Sequence, residues 1–218
     1  MGVSRRSVLS GALTSPLLAH AAMAPAAADA STTIGVGEGG WIEIVWAPQA
    51  QAEMDQRGAT VEAIAPAELI ERNGGRGIRF PVRSAQGDPS LSNPAHTQGT
   101  GVADGGLILR VASTEVRVTR LAGDVRDEQI SGRYMVNDVD AGMQPVFRWR
   151  ATEGDLAVVP GAPGKPVELK ISDLPVRLTS EMLDLWTTSA RSYGLPSLSA
   201  DTVVAHVTAQ GRFVPPTS

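Results

Sequence analysis

The chain has 218 residues, 19 of them basic and 23 acidic, with 42% hydrophobic residues, only 4% aromatic ones and no cysteine. Without cysteine there can be no disulfide, no thiol catalysis, no cysteine-linked lipid and no thiolate-held zinc or iron–sulfur centre. The net charge of −4 runs against nucleic-acid binding, which calls for a basic surface.

The first thirty residues read as an export signal. Arg5 and Arg6 stand before a weakly apolar stretch, and the first acidic residue is Asp29. Paired arginines followed by such a stretch fit a twin-arginine signal peptide. Gly11, Thr14, Ser15, Pro16 and His20 interrupt the stretch, so it lacks the roughly 20 apolar residues of a membrane-spanning helix. Ala28-Asp29-Ala30 forms an A-x-A cleavage site, with Ser31 as the new N-terminus. Residues 31–218 are expected to form one domain, a size that a single core can stabilise. Losing Arg5, Arg6 and Asp29 leaves it 17 basic and 22 acidic residues.

After cleavage a glycine-rich arm, Ile34 to Gly40, leads into a strand, Trp41 to Trp46. Pro48 to Arg57 predicts a short helix, with proline in its first turn and Gly58 past its end. Thr60 to Ile64 returns to strand. Asn73-Gly74-Gly75 predicts a turn, and Ile78, Phe80 and Val82 alternate on one face of the next strand. Pro81 marks that strand as an edge. Residues 84 to 100 read as a polar loop, or a weak strand inside one.

From Gly105 the β pattern strengthens, through Leu107, Leu109 and Val111, then Val116, Val118 and Leu121. Strands are predicted over Ile130–Val136, Val146–Ala151, Val167–Ile171 and Val176–Leu178. Thr179 or Ser180 caps a second helix, which runs through Met182 and Trp186 to Gly194. A last strand alternates Val203, Ala205, Val207 and Ala209. Many short strands with few helices predict an all-β fold, a mainly antiparallel sandwich or barrel with one or two short helices. No later segment predicts a transmembrane helix.

Three motif matches fail on context. Gly35-x-Gly37-x-x-Gly40 matches a dinucleotide fingerprint, but that motif needs a strand before it and a helix after it. Here it reads as a flexible arm. Ala190-Arg191-Ser192-Tyr193-Gly194 resembles a nucleophile elbow, yet Ser192 ends a helix where the elbow would start one. Asn137 to Gly142 looks like part of a calcium loop, but Met143 and Trp149 stand where an EF-hand needs Gly and Glu. These residues read as a turn. No catalytic set is predicted, and no metal site is assigned.

The mature chain keeps two histidines, His96 and His206, and both tyrosines, Tyr134 and Tyr193. Two histidines without cysteine make a poor zinc site, whereas a histidine–tyrosine pair can ligate haem iron. A histidine such as His206, on the polar face of its strand, is more often simply exposed or hydrogen-bonded to a neighbouring threonine.

Gly105-Gly106-Leu107-Ile108-Leu109, followed by Val116-Arg117-Val118, resembles a group of secreted, β-rich actinobacterial proteins that includes haem-uptake-type surface domains. The likeness extends to residues 166–171 and to the start of the helix after Leu178, about half of the mature chain. It implies a tyrosine–histidine ligand set without assigning its positions, so Tyr134, Tyr193, His96 and His206 are the candidates. The expectation is an exported, non-enzymatic binding or structural domain of the cell envelope. It would have no resident cofactor and a protein, polymer or small molecule as partner. Haem carriage is the first alternative and a secreted hydrolase the second.

Overall fold

Val, Ile, Leu, Thr and Trp at every second position, broken by Gly and Asn pairs, leave the chain little choice but paired strands. The structure is a computed structural model describing residues 35–87, 99–159, 166–184, 187 and 198–214. The described residues form twelve strands: β1 (Gly35–Trp46), β2 (Thr60–Ile64), β3 (Glu68–Arg72), β4 (Gly75–Gly87), β5 (Gly99–Ala103) and β6 (Gly106–Val111), then β7 (Thr114–Asp124), β8 (Gln129–Val136), β9 (Val139–Arg148), β10 (Asp155–Val159), β11 (Val167–Leu178) and β12 (Val203–Val214). Helix α1 (Pro48–Gln56) follows β1, and a helical turn opens at Ser180.

Every pairing is antiparallel. The order β7-β5-β4-β1-β12-β11-β9-β8 closes on itself, because β8 also pairs with β7. Eight strands therefore form a barrel, whose bore at this strand number holds side chains or one small ligand. Outside the ring, β6 pairs with β7 and carries β2, β3 pairs with β4, and β10 pairs with β11. The expected all-β antiparallel fold is present, in its barrel form.

Register assigns the faces. Ile44 pairs with Ile78 and Val207, and Val176 with Ala205. All five are essentially buried and, with Phe80, Leu174 and Phe147, fill the barrel. Burying side chains of this size contributes about 1.5–3 kcal/mol each before conformational entropy is charged against it.

Several local expectations needed correction. The glycine arm is no arm: Gly35–Gly40 forms the first half of β1, paired with β12 and β4. A Cβ on Gly40 would lie 2.6 Å from the Gln210 carbonyl oxygen, so glycine here permits close strand approach. Pro81 does not mark an edge, because β4 lies inside the sheet. It falls where β4 changes neighbours, between the stretch paired with β3 (75–79) and the stretch paired with β5 (from 82). The predicted strands Val167–Ile171 and Val176–Leu178 are one strand, β11, interrupted by an irregularity in which Asp173 takes φ 53°.

Two turns behave as read. Asn73 (φ 52°) and Gly74 (φ 78°) join β3 to β4, and Asn137 (φ 46°) and Asp138 (φ 64°) join β8 to β9. Two positive φ values in a two-residue connection match the twist of a hairpin. The calcium-like segment is thus a hairpin. Asp140 pairs with Arg133 and accepts from the Gly142 N–H, and no metal-binding cluster occurs among the described residues. Thr179 caps the second helix: its Oγ1 accepts from the Met182 N–H and donates to the Pro145 carbonyl. Residues 185–186 and 188–197, over which the sequence predicted the rest of that helix and its end at Gly194, lie outside the described residues.

Candidate functional site

The barrel core leaves a gap at the end where β1 runs into α1 and β11 into the second helix. An apolar cavity of about 120 Å³ lies there. Its long wall is the inner face of the β2-β6-β7-β8 sheet, with Val61, Leu107, Leu109, Val116 and Val118. The alternation of each strand puts these residues on that face, and the pairs Val61–Leu109 and Leu109–Val116 hold them level. Ile44 and Trp46 at the end of β1 form the floor, while Ala50, Glu53 and Met54 of α1 and Met182 of the second helix cover it.

Two polar side chains break this lining. Tyr134, on β8, is level with Val118 across the ladder. By area it is partly exposed, and the desolvation of its ring and hydroxyl by the surrounding protein pushes its pKa up to about 12. The hydroxyl makes no hydrogen bond among the described residues, although a buried phenol normally finds a partner. Glu53 is the one charged residue of the lining and has no ion-pair partner among the described residues.

The other candidates lie elsewhere. His206 pairs across strands with Val45 and Pro175 and does not line the cavity. Its Nδ1 lies 2.8 Å from an Asp173 carboxylate oxygen but makes no hydrogen bond among the described residues. The structure does not bring His206 and Tyr134 together. His96 and Tyr193 fall outside the described residues.

No family model matches the chain, and no curated protein matches it. Among solved structures, the C-terminal domain of HtaA from Corynebacterium glutamicum aligns over 83% of this chain and 99% of that domain, with a TM-score of 0.51 and 10% identity. In fold, this chain is similar to that domain. The heme binding protein HtaB of the same organism aligns over 83% of this chain and 94% of its own, at 9% identity and a TM-score of only 0.27. The resemblance to actinobacterial haem-uptake-type domains, carried in the sequence by Gly105–Leu109, thus holds at the level of the fold.

Sequence reasoning missed the α1 residues of the site. Ala50, Glu53 and Met54 follow the 3–4 spacing of one helix face, which was the available signal. With only two apolar residues among them it was too short to point to a cavity.

Proposed function

We propose that this protein is a non-enzymatic carrier that works outside the cytoplasm and takes haem, as cargo, into the apolar end of its barrel. Tyr134 would ligate the iron. The observation that carries this reading is Tyr134, which lines an apolar cavity and whose hydroxyl makes no hydrogen bond among the described residues. Such a phenol has no internal partner to lose by ligating a metal. Ferric haem supplies a flat apolar body and an iron that accepts a tyrosine oxygen. The Leu, Val, Met and Trp side chains around Tyr134 suit the first, and the phenolate oxygen suits the second.

The sequence resemblance and the fold likeness to the HtaA domain support this reading. Its placement outside the cytoplasm rests on Arg5-Arg6 and on the Ala28-Asp29-Ala30 site before Ser31. Among the described residues, no helix is long and apolar enough to cross a membrane. A second reading, an envelope domain that binds a protein partner, is favoured by Val139 and Met143, which stand 70% and 52% exposed on the β8–β9 hairpin.

Titrating the full chain with hemin decides between them. The expected result is a saturable Soret shift that Tyr134→Phe weakens at least tenfold and that His206→Ala leaves intact. Ligation as phenolate releases the Tyr134 proton, so affinity should rise with pH, about tenfold per unit while pH stays below the raised pKa. No spectral change at equimolar hemin overturns the haem reading.

A further inference from the structure

The cavity beside Tyr134 is too small for the cargo proposed above. Sites for molecules of that scale span about 300–1,000 Å³, against about 120 Å³ here. A second cavity, of about 210 Å³, adjoins it beside β3 and the start of β4, lined by Leu69, Ile70, Glu71, Arg76 and Gly77 among others. Neither alone reaches the scale of an ordinary small-molecule site. Joined, they would.

The partition between them consists of three residues that line both: Trp46, Val61 and Met54. Trp46 ends β1, and Val61 is held in the β2–β6 ladder. Met54 differs, because it stands on α1. That helix buries none of its residues and has no side-chain hydrogen bond at its N-cap. An ion pair between Asp55 and Arg76 connects it to β4. Methionine is also unbranched and adaptable, able to swing aside without leaving an apolar environment. The partition therefore has two fixed members and one movable one.

We infer that Met54 is the residue that sets ligand size: its displacement joins the two cavities into one elongated apolar site, reaching from Tyr134 to Leu69. The class of ligand is a flat or extended, mainly apolar molecule longer than either cavity alone. The inference rests on the carrier reading for its cargo but not on iron ligation, and a metal-free probe separates the two.

Metal-free protoporphyrin is the long probe, followed by quenching of Trp46 fluorescence in the full chain, with Trp46→Phe as the control for assignment. Benzene is the short probe, followed by saturation-transfer NMR, since a dry cavity of about 150 Å³ can hold it. Met54→Trp, which fills the partition, should weaken protoporphyrin binding at least tenfold while leaving benzene binding in place. Met54→Ala should bind protoporphyrin as well as the parent or better. Val61→Phe blocks the same passage from the opposite wall and gives the same test should Met54→Trp fail to fold. Circular dichroism reports folding for each variant.

Unchanged protoporphyrin affinity in a folded blocking variant overturns the inference, as does absence of binding to the parent. If the blocking variants behave as expected but Tyr134→Phe has no effect on hemin, iron ligation falls and the joined site stands.

Discussion

At Tyr134, burial of the side chain pushes the phenol from its ordinary pKa near 10 up to about 12. This has a consequence for stability. Above pH 10 the unfolded chain gives up a proton that the folded protein keeps, so folding stability falls as pH rises from about 10 to about 12 and is unaffected by this group below 10. Each pH unit in that window costs about 1.4 kcal/mol. In urea unfolding at pH 9 and pH 11.5, the parent should lose about 2 kcal/mol more than Tyr134→Phe. Equal losses would show that the hydroxyl is solvated. A contrast at the same scale is Glu43, a fully buried carboxylate between Arg72 at 2.8 Å and Arg79 at 2.6 Å. Both guanidinium groups lie over the Trp41 ring, at 5.8 and 5.2 Å from its centroid. There the charge is partnered, and the desolvation of Glu43 is offset by charge-assisted hydrogen bonds.

Among the elements, the β1–β4 seam shows how little room paired strands leave. Gly77 faces β1 so closely that a Cβ would press on the Ile44 carbonyl and lie 2.9 Å from the Val45 Cα. Backbone cannot yield there without parting the strands that bury Ile44, Ile78 and Phe80. Gly77→Ala should therefore cost about 3 kcal/mol or more, whereas Gly123→Ala on β7, with nothing within 4 Å of the new Cβ, should change stability by less than about 1 kcal/mol. Chemical denaturation of both variants checks this, and similar values for the two would remove the close-approach argument. The sequence foretold β2, β4, β6, β7 and β12 through alternation, and the second half of β1 through its composition. It did not foretell β3, β5 and β10. Glu68-Leu69-Ile70-Glu71-Arg72 has no apolar face to read, and β3 exists because the Asn73-Gly74 turn folds it back on β4.

For the whole molecule, the proposed export route bears on folding. A cysteine-free barrel closed by non-local pairs, such as β1 with β12, needs both ends of its chain before it is complete. A route that carries folded proteins suits it. Replacing Arg5 and Arg6 by lysine keeps the charge but removes the planar guanidinium that binds carboxylates bidentately. The double variant should accumulate inside as uncleaved precursor, while the parent is recovered outside the cytoplasm beginning at Ser31. Fractionation that finds both forms exported equally would reject the twin-arginine route.

Composition and spacing alone determined the chemical class of this protein: β-rich, free of cysteine, headed by an export-like segment, and without a catalytic motif in its proper context. These properties depend on residue type and on periods of two or three to four positions, which a linear chain displays openly. Barrel closure was decided by tertiary structure. Sandwich and barrel share the same alternation and differ only in whether β8 finds β7. The site was decided there too. Tyr134 and His206 were equal candidates in sequence, and pairing placed one on the cavity wall and the other beside Asp173. A strand's period says which residues share a face; only the packing of distant segments against that face says whether it encloses a cavity.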